Sequence, residues 1–419
     1  MAKVKSSPLS KKTTAGGRGR NGQTSKRPSV GKNKPRRPIP QLADIAPELK
    51  PHIVSQVKPP SPDHYWSTLA GVGVTLLGIL VATGSAMWLV SLKQPRPRAV
   101  AVQPIAKSTT LTATAPLTGL PAAPETVTQR PWAVVVENFF TVRPQSGLGS
   151  ADIVFESPTE GGITRLVAIY QSQLPKLIGP VRSARSYFND WARPFAPLYS
   201  HSGGSDKALQ QLRNGYGDIT DVNEFFHGAA YTRNTSINPP HNLFTTPERF
   251  LTYARNNNFA LVSEVPKLNF VTKLPPAPTI NHLTLPYLPS EYEVTYEYQA
   301  AAGVYQRLVD GTTQLDANSN QVLTVKNVIV LFTDIDPIPG DPLLRVNLRT
   351  LGTGEARVYT GGLVYSGTWR KNSADSLIEF TNNLEQALPL QPGNTWISVI
   401  DFSASTAFPT AGESEPELQ

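Results

Sequence analysis

The sequence predicts an α+β or α/β N-terminal ectodomain followed by a mostly β C-terminal domain, behind one transmembrane helix and a disordered N-terminal tail. Three observations lead there. Ser67 to Leu92 is an uncharged run of 26 residues. Between residues 125 and 264, apolar strand-like runs alternate with helical patterns. Beyond residue 290, short strand-like runs follow one another, most of them separated by Gly, Asn and Asp turns.

Residues 1–63 hold 14 Lys and Arg against 3 Asp and Glu, whereas the remainder holds 25 against 28. The net charge of +8 therefore belongs to the tail, and the folded part is mildly acidic. No nucleic-acid partner is expected for the folded domains. Residues 1–66 have too few large apolar side chains to offset the entropy of ordering, so they read as a disordered basic tail, either simply solvated or tethered to anionic lipid. The absence of Cys excludes disulfides, thiolate nucleophiles and zinc–thiolate sites.

At about 1.5 Å per residue the Ser67–Leu92 run reaches about 39 Å as a helix, more than a hydrocarbon core of about 30 Å. Tyr65, Trp66 and Trp88 suit the interfaces. A signal peptide is a poor fit, because a long segment precedes the run. Membrane lipid is thus an expected partner. Charge alone leaves orientation open: the tail is basic, but Lys93, Arg96, Arg98 and Lys107 follow the span closely. Residues 93–124, rich in Pro, Ala and Thr, read as a stalk.

Next, Trp132–Glu137, Ala151–Glu156, Ile163–Gln171 and Leu198–His201 read as strands. Helices are expected over Arg182–Arg193, Ser205–Arg213 and Thr246–Asn256, the last with Thr246 as N-cap and Pro247 at its first position. Pro-rich 265–289 reads as a connection between two separately packed domains, 125–264 and 290–402. In the second, Tyr292–Tyr298, Val304–Val309, Val325–Phe332, Glu355–Tyr359 and Thr395–Ile400 read as strands. Residues 403–419 read as an acidic disordered tail.

On a helix over Arg182–Arg193, Arg182, Arg185, Asn189 and Arg193 fall within about 80° of one another at about 100° per residue. Such a face is either solvated or suited to bidentate binding of carboxylate or phosphate. His201-Ser-Gly-Gly-Ser205 follows a strand and opens a helix. Gly203 and Gly204 permit close backbone approach and Ser205 suits an N-cap, so the turn is either a plain cap or an anion site. Lys207 stands where a serine-hydrolase elbow needs Gly. Gly147-x-Gly149 lacks the rest of a dinucleotide fingerprint, and the six His form no HExxH. Neither cofactor nor metal is therefore expected. Glu156 and Glu160 flank a turn, either as an acid/base pair or as turn residues with a salt bridge to Arg165. His241-Asn242 forms a rigid polar corner, structural or part of a site.

Several of these stretches resemble the YerB-like family of membrane-anchored bacterial lipoproteins. They are Asn138, Arg143–Gly147, Ala151–Glu156, Glu160–Arg165, the Gly179-Pro-Val-Arg-Ser-Ala-Arg185 run, His201–Ser205 and His241-Asn242, with Tyr305-x-Arg307, Gly367-Thr-Trp369 and Pro392–Trp396 further on. The resemblance covers about residues 125–402 and implies an extracytoplasmic location. It departs in one respect: the chain has no lipobox Cys, and its transmembrane helix is expected to replace the lipid anchor.

Two functions follow as expectations. One is a binding module that holds an anionic ligand, such as a cell-wall polymer, through Arg182, Arg185, His201 and nearby backbone, with Glu156, Glu160 and Asp221 as acidic partners in the empty state. The other is an envelope hydrolase of a glycan or phosphodiester, with Glu160 or Glu156 as acid/base and His201 as proton carrier. Both require the C-terminal part outside the cell. Protease added to intact protoplasts should digest an epitope placed after Gln419 and spare one at Met1; the reverse pattern would exclude both functions.

Overall fold

The strand Trp132-Ala-Val-Val-Val-Glu137 has apolar side chains on both faces, as a strand covered on both sides must. Trp132, Val134 and Val136 enter one hydrophobic cluster, Ala133 and Val135 another. The computed structural model describes residues 111–407. The basic tail and the Ser67–Leu92 run lie outside the described residues. Among the described residues no helix is long and apolar enough to cross a membrane.

The N-terminal region is mixed α/β. It supplies β1 (Trp132–Glu137), β2 (Ile153–Pro158), β3 (Thr164–Tyr170), β4 (Leu198–His201) and β5 (Thr220–Asn223). Its main helices are α1 (Ser186–Ala192), α2 (Asp206–Arg213), α3 (Glu224–His227) and α4 (Pro247–Asn256). The Thr246 side chain accepts from the Arg249 N–H at 3.2 Å and Pro247 opens α4. The C-terminal region is mostly β. A five-stranded sheet comes first: β6 (His282–Leu285), β7 (Val294–Gln299), β8 (Val304–Val309), β9 (Thr312–Thr313) and β10 (Thr324–Val325). Then come β11 (Asn327–Thr333), β12 (Gly352–Thr360), β13 (Leu363–Lys371), β14 (Glu379–Thr381) and β15 (Thr395–Asp401).

These last five do not form a sheet of their own. They join the first five in one ten-stranded sheet of order β14-β13-β12-β11-β15-β2-β3-β1-β4-β5. The junction is parallel, with Ile397 of β15 opposite Phe155 of β2. One face of the sheet shares a cluster with the five-stranded sheet, through Val294, Tyr296, Tyr305 and Val325, and with Phe250 of α4, which stacks on Trp132 at 4.1 Å. The other face packs on α1 and α2 through Tyr187, Phe188, Trp191 and Leu212.

Four sequence expectations need correction here. Residues 125–264 and 290–402 are not separately packed, because the chain returns to the first half's sheet to bury β15. The Pro-rich 265–289 stretch is not a free connection: Val265, Ile280, Leu283, Leu285 and Tyr287 are buried, and the Val271 and Ile280 N–H groups donate to Leu390 and Gly362 carbonyls. The end of the expected stalk folds back as a hairpin, Ala113–Thr114 against Pro121–Ala122, with Leu117 and Thr118 buried. The start of the expected acidic tail, through Ala407, is a short 3₁₀ helix whose Ser405 carbonyl accepts from Arg357 at 3.2 Å. In each case the proline-rich or polar composition suggested solvent, but the backbone finds partners in the fold.

The two regions are also tied by a buried ion pair. Arg307 of β8 donates to Glu156 of β2 at 2.6 Å, and both are about fully buried. The other Glu156 oxygen accepts from Thr164 at 2.9 Å and Asn138 at 3.3 Å. Arg307 also donates to Gln314, which reaches Gln145 at 2.8 Å, which reaches Asn138 at 2.7 Å. The guanidinium lies 4.5 Å from the Trp396 ring centre. A buried charge stripped of its partner is costly. Arg307→Ala should therefore lower unfolding free energy by about 3–5 kcal/mol. The paired replacement Glu156→Leu with Arg307→Met should cost clearly less. Urea denaturation should show one transition for both regions in every variant.

Candidate functional site

Strands β1, β4 and β5 run parallel and end together at Glu137, His201 and Asn223, while β3 runs antiparallel and begins there, with Arg165 opposite Glu137. The carboxyl ends of parallel strands are where open α/β sheets place their ligands. Residues 181–185 cross this edge in extended form. The Arg182 N–H donates to the Val135 carbonyl at 2.9 Å and the Ala184 N–H to Gly203 at 3.0 Å. The Arg182 and Ala184 carbonyls, which a helix would need as acceptors, accept instead from the Ser202 and Ser205 N–H groups at 3.0 and 3.1 Å, so the helix begins only at Ser186, and Arg185 precedes it at φ −130°, ψ 153°. Arg182 and Arg185 are thus neighbours along an extended segment, not one turn apart on a helix. Arg193, at the far end of α1, pairs with Asp375 at 2.6 Å and stands outside the site.

Glu160 accepts from Arg185 Nε at 2.6 Å, and its other oxygen lies 3.4 Å from Arg165 Nη2. Arg165 also donates to the Ser183 carbonyl at 3.1 Å. Burial works to raise the Glu160 carboxyl, but Arg165 and Arg185 outweigh it and hold it below the usual carboxylate range. Burial, and then the like charge of Arg185, push the Arg165 guanidinium down to about 10. Beside them, Glu137 Oε1 lies 3.0 Å from Arg182 Nε and 2.9 Å from His241 Nδ1. The Arg182 contact is close but misaligned, so Arg182 Nε is buried without a hydrogen-bond partner, as is the other Glu137 oxygen, Oε2. Phe139 stacks on His241 at 5.2 Å.

The buried His201 bridges two acceptors, the Gly203 carbonyl at 2.7 Å from Nδ1 and Asp221 Oδ1 at 2.8 Å from Nε2. Both ring nitrogens are thus engaged with oxygens of the fold. A histidine so engaged has no free nitrogen to offer a substrate. The Gly203 N–H donates to Asn223 at 3.0 Å and the Ser205 N–H to the Ala184 carbonyl at 3.1 Å. Ser205 makes no side-chain cap, and Gly204 bridges Ala184 as part of the same pairing. Gly203 needs its positive φ of 62°, with the exposed Phe225 ring directly over it. The expected nest of free N–H groups is therefore largely consumed within the fold. A last link runs from Ser202 to Glu224 at 2.9 Å, on to Arg233 at 2.7 Å, and on to Asn242 at 2.9 Å.

The structure thus brings Arg165, Arg182, Arg185, Glu160 and His241 to one rim, with His201, Asp221 and Asn242 in the adjoining links. It does not bring Glu156 there, because that carboxylate is sealed in the Arg307 pair. Sequence reasoning missed Glu137, Asn223, Glu224 and Arg233. An acid closing the apolar Trp132–Val136 run was a usable signal for Glu137; the others carry none. Among the described residues no group of three or more His, Asp or Glu is placed to hold a metal. Clefts of about 480 Å³ beside Asp316 and about 450 Å³ beside Phe380 open elsewhere and include none of these side chains.

Residues 117–260 match the N-terminal domain, and residues 283–397 the C-terminal domain, of a family described as protein of unknown function DUF3048. The protein named "Putative lipoprotein YerB" of Bacillus subtilis (strain 168) is 33% identical over 296 residues, 70% of this chain and 88% of that one. The chain belongs to the DUF3048 family. The crystal structure of YerB from Bacillus subtilis aligns at a TM-score of 0.63 and 32% identity, over 70% of this chain and 98% of that one. The resemblance read from the Gly179–Arg185 run and its companions is borne out. The two family segments coincide with the two sequence regions, yet strands from both enter one sheet.

A carboxyl depressed in the fold contributes stability above its unfolded value and loses it as pH falls through the folded one. Glu160→Gln should therefore lower the urea midpoint at neutral pH. The gap to wild type should narrow as pH falls below the unfolded value of 4.5. A gap that stays constant to about pH 3 would mean that the Glu160 ion pairs contribute nothing.

Proposed function

We propose that this is a membrane-anchored extracytoplasmic protein that binds an anionic cell-envelope ligand, such as a cell-wall polymer, at the Arg182–Arg185 rim. The observation that carries this reading is a charge imbalance. Three guanidinium groups, Arg165, Arg182 and Arg185, face two carboxylates, Glu137 and Glu160, and Arg165 is pushed down to about 10 by burial and by its like-charged neighbour. The group is one negative charge short, and a bound anion would supply it. The uncharged Ser67–Leu92 run and the basic tail support the anchor, as does a relative named as a lipoprotein.

The hydrolase reading has one observation in its favour, the 2.9 Å contact of His241 with Glu137 on the rim. It is the weaker reading, because both His201 nitrogens are engaged within the fold.

The test is binding of the full-length protein in detergent to purified cell walls, before and after their anionic polymers are removed. Binding should depend on the polymers. Arg185→Ala should weaken it about tenfold to a hundredfold, as loss of a charge-assisted hydrogen bond does. Arg185→Lys should not fully rescue, since an ammonium lacks the guanidinium fork. Arg193→Ala should bind as wild type does. Equal binding by wild type and Arg185→Ala would exclude the rim as the site.

A further inference from the structure

We infer that Glu160 is an internal competitor which an incoming ligand must displace, and that this makes the rim selective for terminal, dianionic phosphate groups over carboxylates. The inference rests on the anion-binding reading above and names the ligand chemistry.

Glu160 occupies the place a ligand anion would take, bridging Arg185 and Arg165. Unlike the other acid of the rim, it is not carried on a strand. It opens the three-residue turn Glu160–Gly162, in which Gly161 and Gly162 have φ of 62° and 80°. No atom lies within 4 Å of where a Gly161 Cβ would be, so the turn is open on that side, while the Gly161 N–H donates to the Leu344 carbonyl at 3.2 Å and Gly162 packs against the Leu288 backbone. The Glu160 side chain keeps 22% of its surface exposed, against 5% for Glu137. The Glu160 side chain can therefore swing out to solvent by changing rotamer while the turn and the sheet stay in place.

Displacement is an exchange, so only the difference between incoming and outgoing anion counts. A ligand carboxylate brings one charge and two oxygens, the same as Glu160. Glu160 is tethered, and tethered groups act at an effective concentration on the order of millimolar. A dilute carboxylate therefore gains nothing by the exchange. A phosphate monoester brings a charge of about −1.5 to −2 and three acceptor oxygens. Two can replace the Glu160 oxygens on Arg185 and Arg165. The third can accept from Arg182 Nε, which is buried without a hydrogen-bond partner. The extra charge matches the one negative charge that the three arginines lack.

The test uses isothermal titration calorimetry on the full-length protein in detergent at pH 7.5, with inorganic phosphate and acetate as probes. Wild type should bind phosphate about tenfold or more tighter than acetate, the effect of one additional charge-assisted hydrogen bond. Glu160→Gln should bind both anions more tightly, acetate gaining most, so that discrimination shrinks to about threefold or less. Glu160→Asp, whose shorter arm cannot span both arginines, should fall between the two. Because wild type alone must discriminate, a misfolded variant would not shield the inference. Wild type binding acetate as tightly as phosphate would overturn it, as would a folded Glu160→Gln with unchanged or weaker affinity. Either result, with phosphate binding still lost in Arg185→Ala, would leave the rim as an anion site. Phosphate binding undiminished in Arg185→Ala would remove the rim itself.

Discussion

The Glu156–Arg307 pair is the contact on which the rest of the structure depends. Its partners are 151 positions apart in the chain, one on the central sheet and one on the five-stranded sheet that packs against it. Taking two ions out of water costs several kcal/mol each, so the arrangement is stable only with every lone pair and proton occupied. Asn138, Thr164, Gln314, Gln145 and the Trp396 face supply that occupation. A hydrophobic interface tolerates some sliding; a buried pair with directed hydrogen bonds does not. The pair therefore fixes how the five-stranded sheet seats on the central one.

The same network sets the rim. Asn138 follows Glu137 in the chain, and Thr164 precedes Arg165. Each residue locked in the core is thus next to a residue presented at the sheet's edge. The alternation of strand side chains sends one inward and the next toward the 181–185 segment. Arg143 extends the link toward the surface, donating to Asn138 at 3.1 Å and to the Glu291 carbonyl at 2.7 Å. The rim is in this way supported by rigid elements and a shell of hydrogen bonds, the condition for holding charged groups in one geometry. Glu160 is the exception: it reaches the arginines from a glycine turn rather than a strand, and it is the more exposed of the rim's two acids.

Electrostatics explains why so many charges can sit together. The rim shares its acids, Glu160 between Arg165 and Arg185 and Glu137 between Arg182 and His241, while Arg233–Glu224 and His201–Asp221 stand as pairs beside it. The balance is local, however. Arg233 and Glu224 neutralise each other and Asp221 faces His201, so the three remaining arginines share two acids. A fold that spent its acids evenly would leave a neutral, inert edge; this one leaves a defined deficit beside the carboxyl ends of the parallel strands.

The sequence by itself determined the elements whose signals are local. The strands Trp132–Glu137, Leu198–His201 and Val304–Val309 follow from apolar, β-branched and aromatic patterning, and Pro247–Asn256 from its Thr–Pro start, because such preferences need no distant partner. It also pointed to polar residues of one sheet edge: Arg165 and Arg185 share Glu160, and Arg182 pairs with Glu137 beside them. Tertiary structure decided everything that rests on pairing. Polar Thr220–Asn223 becomes a strand only because β4 supplies its hydrogen bonds, and Arg182–Arg185 stays extended because Ser202 and Ser205 take the Arg182 and Ala184 carbonyls that a helix would need as acceptors. Glu156 reads on paper as the equal of Glu160, yet one is sealed beneath the second sheet and the other faces solvent. That difference lies in Arg307, about 150 residues away, and no local pattern carries information over such a distance.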